Sequence, residues 1–586
     1  MTFARFGLVF PLSFLISANA GSQAPLPIPP PKTEVRAVWI TTASGLDWPH
    51  TTNLIEQQTS LRALLRGVKA ARFNTVFFQV RARGDAYYRS RYEPWAENLT
   101  GSLGKDPGWD PLAFLLAEAH ALGIEVHAWF NVFKIRGPNP VGSSMPEHPS
   151  RALASFTVEQ DGELWLDPGR PEVRTYLATV ALDLIRRYDI DAINFDFIRY
   201  PGTIFGDGES YARFGKPMNI HEWRRQNITA FVQEVYTQAV QLKPMLKVGS
   251  SPLGIYREET NGSQRGSYFW VYQDSYSWLR QGIHDYLSPQ VYWQIRPPNG
   301  EPDFARVMMQ WKDLAAGHHI YAGIAAYRPE IQRDLGMYID TARGASAAGQ
   351  VFFRWENIAN TTTINGRYST LALIPPMPWK NSLPPGAPTD LDVKETSTGA
   401  LRLTWSAPAP ARDGDTARYY AIYRWPSHEI PFDDPATLVD VTAPAVREFV
   451  DSMGSPKDAR YYYAVTALDR AHNESAPSTV IYSHPPVLPP RVHAQAKQTT
   501  LTILLSRTSG RPYQAQYTLA QSTPVNLDLL SRRADSVEVL HTTLVRAVQD
   551  EGRYSVELRK VFILPGSYIF RLTTDHTTVD QLLEVK

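Results

Sequence analysis

The chain has 586 residues, of which 43% are apolar and 20% are charged, so it is long enough for several globular domains. The formal charge of +1 argues against a protein that wraps a nucleic acid, because such proteins carry a basic surplus. The absence of cysteine excludes disulfides, thiolate metal sites and a cysteine nucleophile.

The N-terminus has the pattern of a secretory signal peptide. Arg5 gives a basic start, residues 6–16 are mostly apolar, and residues 18–20 (Ala-Asn-Ala) form a small-residue cleavage signature. The apolar run is too short to span a bilayer. We therefore expect residues 1–20 to be removed and the protein to be exported to the periplasm, the cell surface or the medium. Residues 21–33 are rich in proline and are predicted to be an extended linker.

From residue 34 to about residue 380, short strand-like segments alternate with helical ones. The strand-like segments are rich in Val, Ile, Phe and Tyr and show little alternation, as in strands that are buried on both faces. They are predicted at residues 35–41, 75–80, 124–130, 192–197, 247–250, 286–292, 320–325 and 350–353. The helical patterns begin with one that is capped by Asn53 and Glu56. The others are predicted at residues 111–122, 171–188, 223–242, 270–281, 304–316 and 329–345.

This alternation predicts an α/β fold with the eight β–α units of a TIM (β/α)8 barrel. A doubly wound open sheet is the alternative, but no glycine-rich phosphate turn follows the first strand.

Proline-rich segments at residues 375–378 and 384–385 mark the next boundary, and the pattern beyond them is all-β. Alternating strands with regularly spaced turns predict a β-sandwich over residues 384–484. A further proline-rich segment, residues 485–490, precedes a β-rich C-terminal domain that is predicted over residues 490–586.

In a TIM barrel, the residues that end the strands converge on one mouth, where the chemistry takes place. The predicted strand ends are polar and aromatic with few acids, which is typical of a carbohydrate cleft. The residues assigned to substrate binding are Trp39, Gln79, Arg81, His127, Trp129, Asn131, Arg199, Tyr200, Gln290, Tyr292, Trp293 and Trp355. No second metal-ligating residue follows His127 at a suitable spacing, so no metal site is predicted. No other cofactor is predicted either.

Asp196 is the leading candidate for a general acid, because glycoside hydrolysis needs a protonated carboxyl group beside the leaving oxygen. It ends the fourth strand between two phenylalanines, which would raise its pKa, whereas Arg199 would lower it. Glu356 and Asp85 compete for the role of second catalytic carboxylate. The alternative for Asp196 is a salt bridge that only stiffens the barrel mouth.

Eight stretches of the barrel region resemble the glycosyl-hydrolase-like family 10 group. They are residues 36–41 (RAVWIT), 46–49 (LDWP), 74–80 (NTVFFQV), 126–131 (VHAWFN), 165–169 (WLDPG), 191–201 (DAINFDFIRYP), 285–293 (DYLSPQVYW) and 321–324 (YAGI). The resemblance is in particular to a cell-division enzyme that acts on peptidoglycan strands stripped of peptides. It implies a TIM barrel that hydrolyses a glycan containing amino sugars. Members often carry two adjacent acids after the phenylalanine of the fourth strand, whereas here Asp196 is followed by Phe197, so the second carboxylate stays open.

Residues 386–484 resemble a fibronectin type III domain, with Trp405 on an early strand, and the C-terminal stretch resembles sorting domains of secreted bacterial proteins. The sequence thus predicts an exported glycoside hydrolase for peptidoglycan strands or a related amino-sugar polysaccharide. It predicts no cofactor, no nucleic-acid partner and no membrane span, and β domains suited to contacts with envelope proteins. Two alternatives are an inactive glycan-binding envelope protein and a polysaccharide deacetylase, although no metal triad for the latter is found.

Overall fold

The computed structural model describes most of the chain after residue 26. The described ranges are residues 27–136, 142–260, 263–298, 300–397, 399–426, 431–452, 461–483, 499–504, 514–532, 538–557 and 566–585. The predicted signal peptide and the first part of the predicted linker lie outside the described residues. The chain divides into two compact units, Met1–Pro485 and Pro486–Lys586. Among the described helices, none is both long enough and apolar enough to cross a membrane.

The predicted TIM barrel is confirmed. Eight parallel strands close into a barrel, and each strand pairs with the barrel strands that come before and after it in the chain. In chain order, β1 to β8 are Val35–Ile40, Thr75–Arg81, Glu125–Asn131, Ala192–Asp196, Lys247–Ser250, Tyr286–Leu287, His319–Ile324 and Gly349–Phe352. The barrel closes where β1 pairs with β8, with Val35 opposite Gly349.

Strand β6 is shorter than predicted, because the apolar stretch over residues 286–292 continues as a strand only to Leu287. Pro289 has no backbone N–H to donate and cannot extend the ladder. Gln290 still forms isolated bridges with Leu253 and Gly323. The chain therefore stays at the barrel mouth although the strand has ended.

The barrel is surrounded by helices. The longer ones, α1 to α7, are Leu54–Ala70, Pro111–Ala121, Pro171–Arg187, Ile220–Leu242, Ser275–Arg280, Phe304–Leu314 and Leu335–Gly344, and α8 is the short Trp355–Ile358. Single turns of helix lie at Pro149–Ala152, Gly208–Ser210, Ser267–Trp270 and Pro329–Gln332. Helix α1 begins after Asn53, whose Oδ1 accepts the N–H groups of Ile55 and Glu56 at 3.0 and 3.2 Å.

Two predicted helices are each broken in two. The predicted helix over residues 270–281 is interrupted at Tyr272, whose φ of +61° is left-handed and incompatible with a continuous helix. The one over residues 329–345 stops before Asp334, whose carboxylate then caps α7 by accepting the N–H of Met337 at 3.2 Å. In both cases, local backbone geometry overrides the apolar periodicity.

The predicted β-sandwich is present after the barrel. One sheet contains Thr389–Glu395, Leu401–Ser406 and Glu448–Asp451, and the other contains Tyr419–Trp425, Leu438–Val441, Tyr462–Leu468 and Ile481–Tyr482. Leu403 and Trp405 from the first sheet share one buried cluster with Ile422 and Val465 from the second. The assignment of this sandwich to the fibronectin type III family stays a prediction.

The sandwich packs against the barrel floor, at the N-terminal ends of the strands. His472 Nε2 lies 2.6 Å from Oε1 of Glu125, the first residue of β3. Arg418 lies 2.8 Å from the carboxylate of Asp189, which precedes β4. The sandwich therefore covers the end of the barrel that is opposite the predicted catalytic mouth.

The second unit is also all-β. Its described strands form a sheet of Thr500–Leu504, Gln514–Leu519 and Gly552–Glu557, and another of Thr523–Arg532, Glu538–Gln549, Gly566–Thr574 and Thr578–Val585. Tyr517, Leu527 and Phe570 are among the residues of its buried core. Its role as a sorting module stays a prediction.

Candidate active site

A cavity of about 230 Å³ lies at the C-terminal ends of the barrel strands. Its walls are Trp39, Ala43, Gln79, Ala82, Arg83, Trp129, Asn131, Lys134, Asp196, Phe197, Arg199, Gln290, Tyr292 and Phe353. An adjoining hollow of about 530 Å³ shares Ala43, Ala82 and Arg83 with it. This end of a TIM barrel is where active sites are found.

Asp196 reaches the cavity because it follows the inward-facing positions of β4. Side chains alternate along a strand, and Ala192 and Asn194 face the barrel interior, where Ala192 joins the inner apolar cluster. Asp196 is only 7% exposed. Its Oδ1 accepts the N–H of Phe197 at 2.7 Å and the side-chain N–H of Gln290 at 3.2 Å.

The residue after Asp196 is held in an unusual backbone conformation. Phe197 has a φ of +47°, in the left-handed region that bulky side chains rarely adopt. Such strain is concentrated at functional sites, where the surrounding structure must hold it in place. Here it turns the chain so that the Phe197 N–H meets the carboxylate that precedes it.

Burial raises the pKa of Asp196 above its usual range, because a desolvated carboxylate loses more stability than a neutral carboxyl group. The positive charge of Arg199 and the hydrogen bonds from Phe197 and Gln290 oppose this rise. The indole N–H of Trp129 also favours the charged form, although it completes no hydrogen bond with any described group. The net upward direction of the pKa is what a general acid needs.

Arg199 lies near this carboxyl group, and its guanidinium interacts with the charges of Asp196 and Glu163 without forming a close salt bridge with any described carboxylate. Its guanidinium sits 4.8 Å from the ring centre of Phe197 and 6.0 Å from that of Trp165. Burial lowers its pKa, and the charge of Asp196 counteracts that change. The cation is therefore held in place by aromatic rings, and its N–H groups remain available to a ligand.

Two further cations line the cavity and were not predicted from the sequence. Arg83 is exposed, and its Nη2 lies 3.2 Å from Ser44 Oγ. Lys134 contacts Glu163, and its Nζ lies 4.8 Å from the ring centre of Phe197. Arg83 lies in the loop after β2, and Lys134 begins a short strand, Lys134–Arg136, that lies outside the barrel. The periodicity of the barrel strands does not determine the direction of either side chain.

Asp196 is the single carboxylate among the described residues that line the cavity. Glu356, a predicted partner, lies in the first turn of α8, where its side chain is 58% exposed and pairs with Arg354 at 2.6 Å. Asp85, the other candidate, lines the adjoining hollow, and its Oδ1 accepts the N–H of Arg83 at 2.8 Å. The structure does not bring either of them into the cavity with Asp196.

Arg81 is committed to the barrel wall. It is fully buried, and its guanidinium forms a two-point ion pair with Glu93 at 2.6 and 2.7 Å. It also donates to the backbone carbonyls of Asn131 and Val132 at the end of β3. Arg81 thus holds two strand ends together and does not line the cavity.

Four other residues that were predicted to bind substrate also lie outside the cavity walls. His127 and Tyr200 are fully buried. Trp355 packs edge-on against Phe73, and Trp293 packs against the main core of the barrel. The predicted residues that do line the cavity are Trp39, Gln79, Trp129, Asn131, Asp196, Arg199, Gln290 and Tyr292.

The barrel region matches the family model described as glycosyl hydrolase-like 10 over residues 34–335. The chain belongs to this family. It is 32% identical over 505 residues to glycosyl hydrolase YngK of Bacillus subtilis, covering 80% of this chain and 95% of that protein. It is 31% identical over 348 residues to glycosyl hydrolase DigH of Escherichia coli K12, covering 54% of this chain and 79% of that protein. The predicted family and the predicted class, a glycoside hydrolase, are confirmed.

Solved structures resemble the chain more distantly. The catalytic domain of the β-amylase from Paenibacillus polymyxa aligns with a TM-score of 0.39 and 11% identity, covering 58% of this chain and 97% of that domain. A similarity at this level carries no information about the substrate.

Proposed function

We propose that the protein hydrolyses the glycosidic bonds of peptidoglycan strands, or of a closely related acidic amino-sugar glycan, with Asp196 as the general acid. The observation that carries this proposal is the buried carboxyl group of Asp196, with its raised pKa, in a cavity at the barrel mouth. A protonated carboxyl group at this position can give its proton to the oxygen of the leaving sugar.

The aromatic walls support a carbohydrate substrate. The ring of Phe353 lies 5.9 Å from that of Trp39, 6.2 Å from that of Trp129 and 6.1 Å from that of Tyr292. Flat rings with apolar faces suit the C–H faces of pyranose sugars, and the polar edge of Tyr or Trp offers hydrogen bonds to their hydroxyl groups.

The cations favour a glycan that carries carboxylates. Arg83, Lys134 and Arg199 all line the cavity, whose described walls contain one acid. Once its peptides are removed, N-acetylmuramic acid has a free lactyl carboxylate in every disaccharide of a peptidoglycan strand. Guanidinium groups bind carboxylates through paired, charge-assisted hydrogen bonds. Chitin, which consists of N-acetylglucosamine alone, offers no such charge.

Cleavage within a strand is supported by the adjoining hollow of about 530 Å³, because a long glycan can continue from the cavity into it. The signal pattern of residues 1–20 supports a location in the cell envelope, where peptidoglycan is found.

The test is release of new reducing ends from three substrates: amidase-treated peptidoglycan strands, intact peptidoglycan and chitin oligosaccharides. We expect the amidase-treated strands to be cleaved fastest and Asp196→Asn to abolish most of the activity. Asp390→Asn is a matched control, because Asp390 is an exposed residue of the sandwich with a left-handed φ of +52° that asparagine also adopts. Undiminished activity of Asp196→Asn would remove this residue from the mechanism.

A catalytically inactive glycan-binding protein is the second candidate, and the absence of a second carboxylate from the described cavity walls favours it. Co-sedimentation with amidase-treated strands, with no reducing ends formed between pH 4 and pH 9, would support this alternative.

A further inference from the structure

Hydrolysis of a glycoside needs a second group besides the general acid, either to attack the anomeric carbon or to activate water. The described residues that line the cavity include no carboxylate besides Asp196. We propose that the substrate supplies this group, and that the 2-acetamido oxygen of the sugar in the cavity is the nucleophile. The proposal rests on the proposed function, because it requires an N-acetylated amino sugar at the cleaved bond.

The nearby protein carboxylates are already engaged elsewhere. Asp85 accepts the N–H of Arg83 and lines the adjoining hollow rather than the cavity. Glu163 is paired with Lys134. Glu356 is an exposed residue of α8. None of the three lines the cavity wall opposite Asp196, from which a protein nucleophile or base would have to act.

The cavity walls complement an acetamido group. Phe353 and the three rings that surround it form an aromatic cradle that suits its methyl group. Trp129 and Asn131 line the same cavity. The buried Trp129 Nε1–H acts on the Asp196 carboxyl group without completing a hydrogen bond, and the buried Asn131 Oδ1 acceptor has no partner among the described groups. Buried polar groups seldom stay unpaired. A secondary amide offers one acceptor and one donor, which is the complement of this pair.

Tyr292 supplies a hydroxyl group beside the reacting centre. Burial raises its pKa, and the charge of Asp196 adds to that rise, so the hydroxyl stays protonated. Its side chain lines the cavity together with Asp196. We assign it as a donor that orients the acetamido oxygen toward the anomeric carbon.

The reaction balances without another reagent. In the first step, the acetamido oxygen forms a bond to the anomeric carbon as the glycosidic bond breaks. The proton of the Asp196 carboxyl group passes to the leaving oxygen, and a cyclic oxazolinium ion remains. In the second step, water attacks the anomeric carbon and gives a proton to the Asp196 carboxylate. The bond from the anomeric carbon to the acetamido oxygen breaks, and the hemiacetal product keeps the original anomeric configuration.

The experiment changes the substrate and leaves the protein as it is, so a folding defect cannot imitate the result. Amidase-treated peptidoglycan strands are de-N-acetylated and then re-acylated with acetyl, propionyl, fluoroacetyl or trifluoroacetyl groups. We expect the acetyl group to restore cleavage and kcat/KM to fall with each added fluorine. For trifluoroacetyl the expected loss is about 100-fold or more, which corresponds to about 2.7 kcal/mol of transition-state stabilisation.

The propionyl strands control for size, because the propionyl group is larger than acetyl but equally nucleophilic, so they should be cleaved much faster than the trifluoroacetyl strands. Proton NMR of the first product should show retained configuration. Equal rates for acetyl and trifluoroacetyl strands, an inverted product, or labelling of a protein carboxylate by a 2-fluoro glycoside would overturn the nucleophile assignment while leaving the hydrolase intact. Failure to cleave even re-acetylated strands would instead overturn the proposed function.

Discussion

Replacing Asp196 by asparagine isolates the proton that this residue donates. Asparagine has almost the same shape, and its Oδ1 can still accept the N–H of Phe197 and the side-chain N–H of Gln290 that Asp196 accepts. The strained turn at Phe197 is therefore kept, and the fold should be unaffected. The substitution removes only the acidic proton and the charge of the ionised form.

The expected loss follows from the single role of this group. General acid–base catalysis contributes about 10²- to 10⁴-fold to a rate, which corresponds to about 2.7–5.4 kcal/mol at about 1.4 kcal/mol per factor of ten. Because Asp196 is the one acid in the described cavity walls, no described neighbour can replace it. We expect kcat/KM for amidase-treated peptidoglycan strands to fall within this range.

A comparison of leaving groups tests the acid role directly. A dinitrophenyl glycoside of an N-acetylated disaccharide needs little proton assistance, so Asp196→Asn should slow its cleavage by less than about 10-fold in the bond-breaking step. The alkaline limb of the wild-type pH profile should also disappear in the variant. An equal loss on both substrates, or an alkaline limb that survives the substitution, would refute the assignment of Asp196 as general acid.

Three further substitutions test the surroundings of the site. Arg199→Met removes a positive charge that lowers the pKa of the Asp196 carboxyl group. In the variant this group should stay protonated to higher pH, so the alkaline limb of the kcat/KM profile should move to higher pH. A limb that moves to lower pH would contradict this. Arg81→Met leaves the fully buried carboxylate of Glu93 without its partner and should lower the free energy of unfolding by about 3–5 kcal/mol, measured by urea or thermal unfolding. As a control, Arg83→Met at an exposed position should change the free energy of unfolding by less than about 0.5 kcal/mol. Glu356→Gln should keep kcat/KM on amidase-treated strands within about 10-fold of wild type, because the carboxylate is exposed and paired outside the cavity. A loss of kcat/KM as large as that expected for Asp196→Asn would instead make Glu356 the second catalytic carboxylate.

The barrel could be predicted from the sequence because its strands are buried on both faces. Such strands are continuous apolar runs that stand out between amphipathic helices. The errors arose where one residue overrides the pattern. Pro289 ends β6 early, Tyr272 breaks one predicted helix with a left-handed φ, and Asp334 starts a new helix within another.

The site could be predicted only as far as side-chain alternation holds. Asp196 and Trp129 lie on inward-facing positions of their strands, and both line the cavity. Arg81 follows Gln79 by two residues and would face inward in a regular strand. The register shifts between these two residues, and this β-bulge lets Arg81 face the wall, where it meets Glu93. Neither a bulge nor an ion-pair partner 12 residues further along the chain is visible in the apolar pattern.

Alternation also explains why no second acid was found. Apart from Asp196, the residues near the strand ends that line the cavity include aromatic and amide-bearing side chains: Trp39, Gln79, Trp129, Asn131, Gln290 and Phe353. Glu356 and Asp85 were proposed because they follow strand ends in the sequence. Residues beyond a strand end, whether in a helix such as α8 or in a loop, need not share the direction of the strand. A barrel mouth with one carboxyl group can hydrolyse a glycoside only if something other than the described walls supplies the second function. An N-acetylated substrate carries that function beside the bond to be broken. Such a group would bind at the Trp129 N–H, which completes no hydrogen bond in the described part of the chain, and at the Asn131 side-chain oxygen.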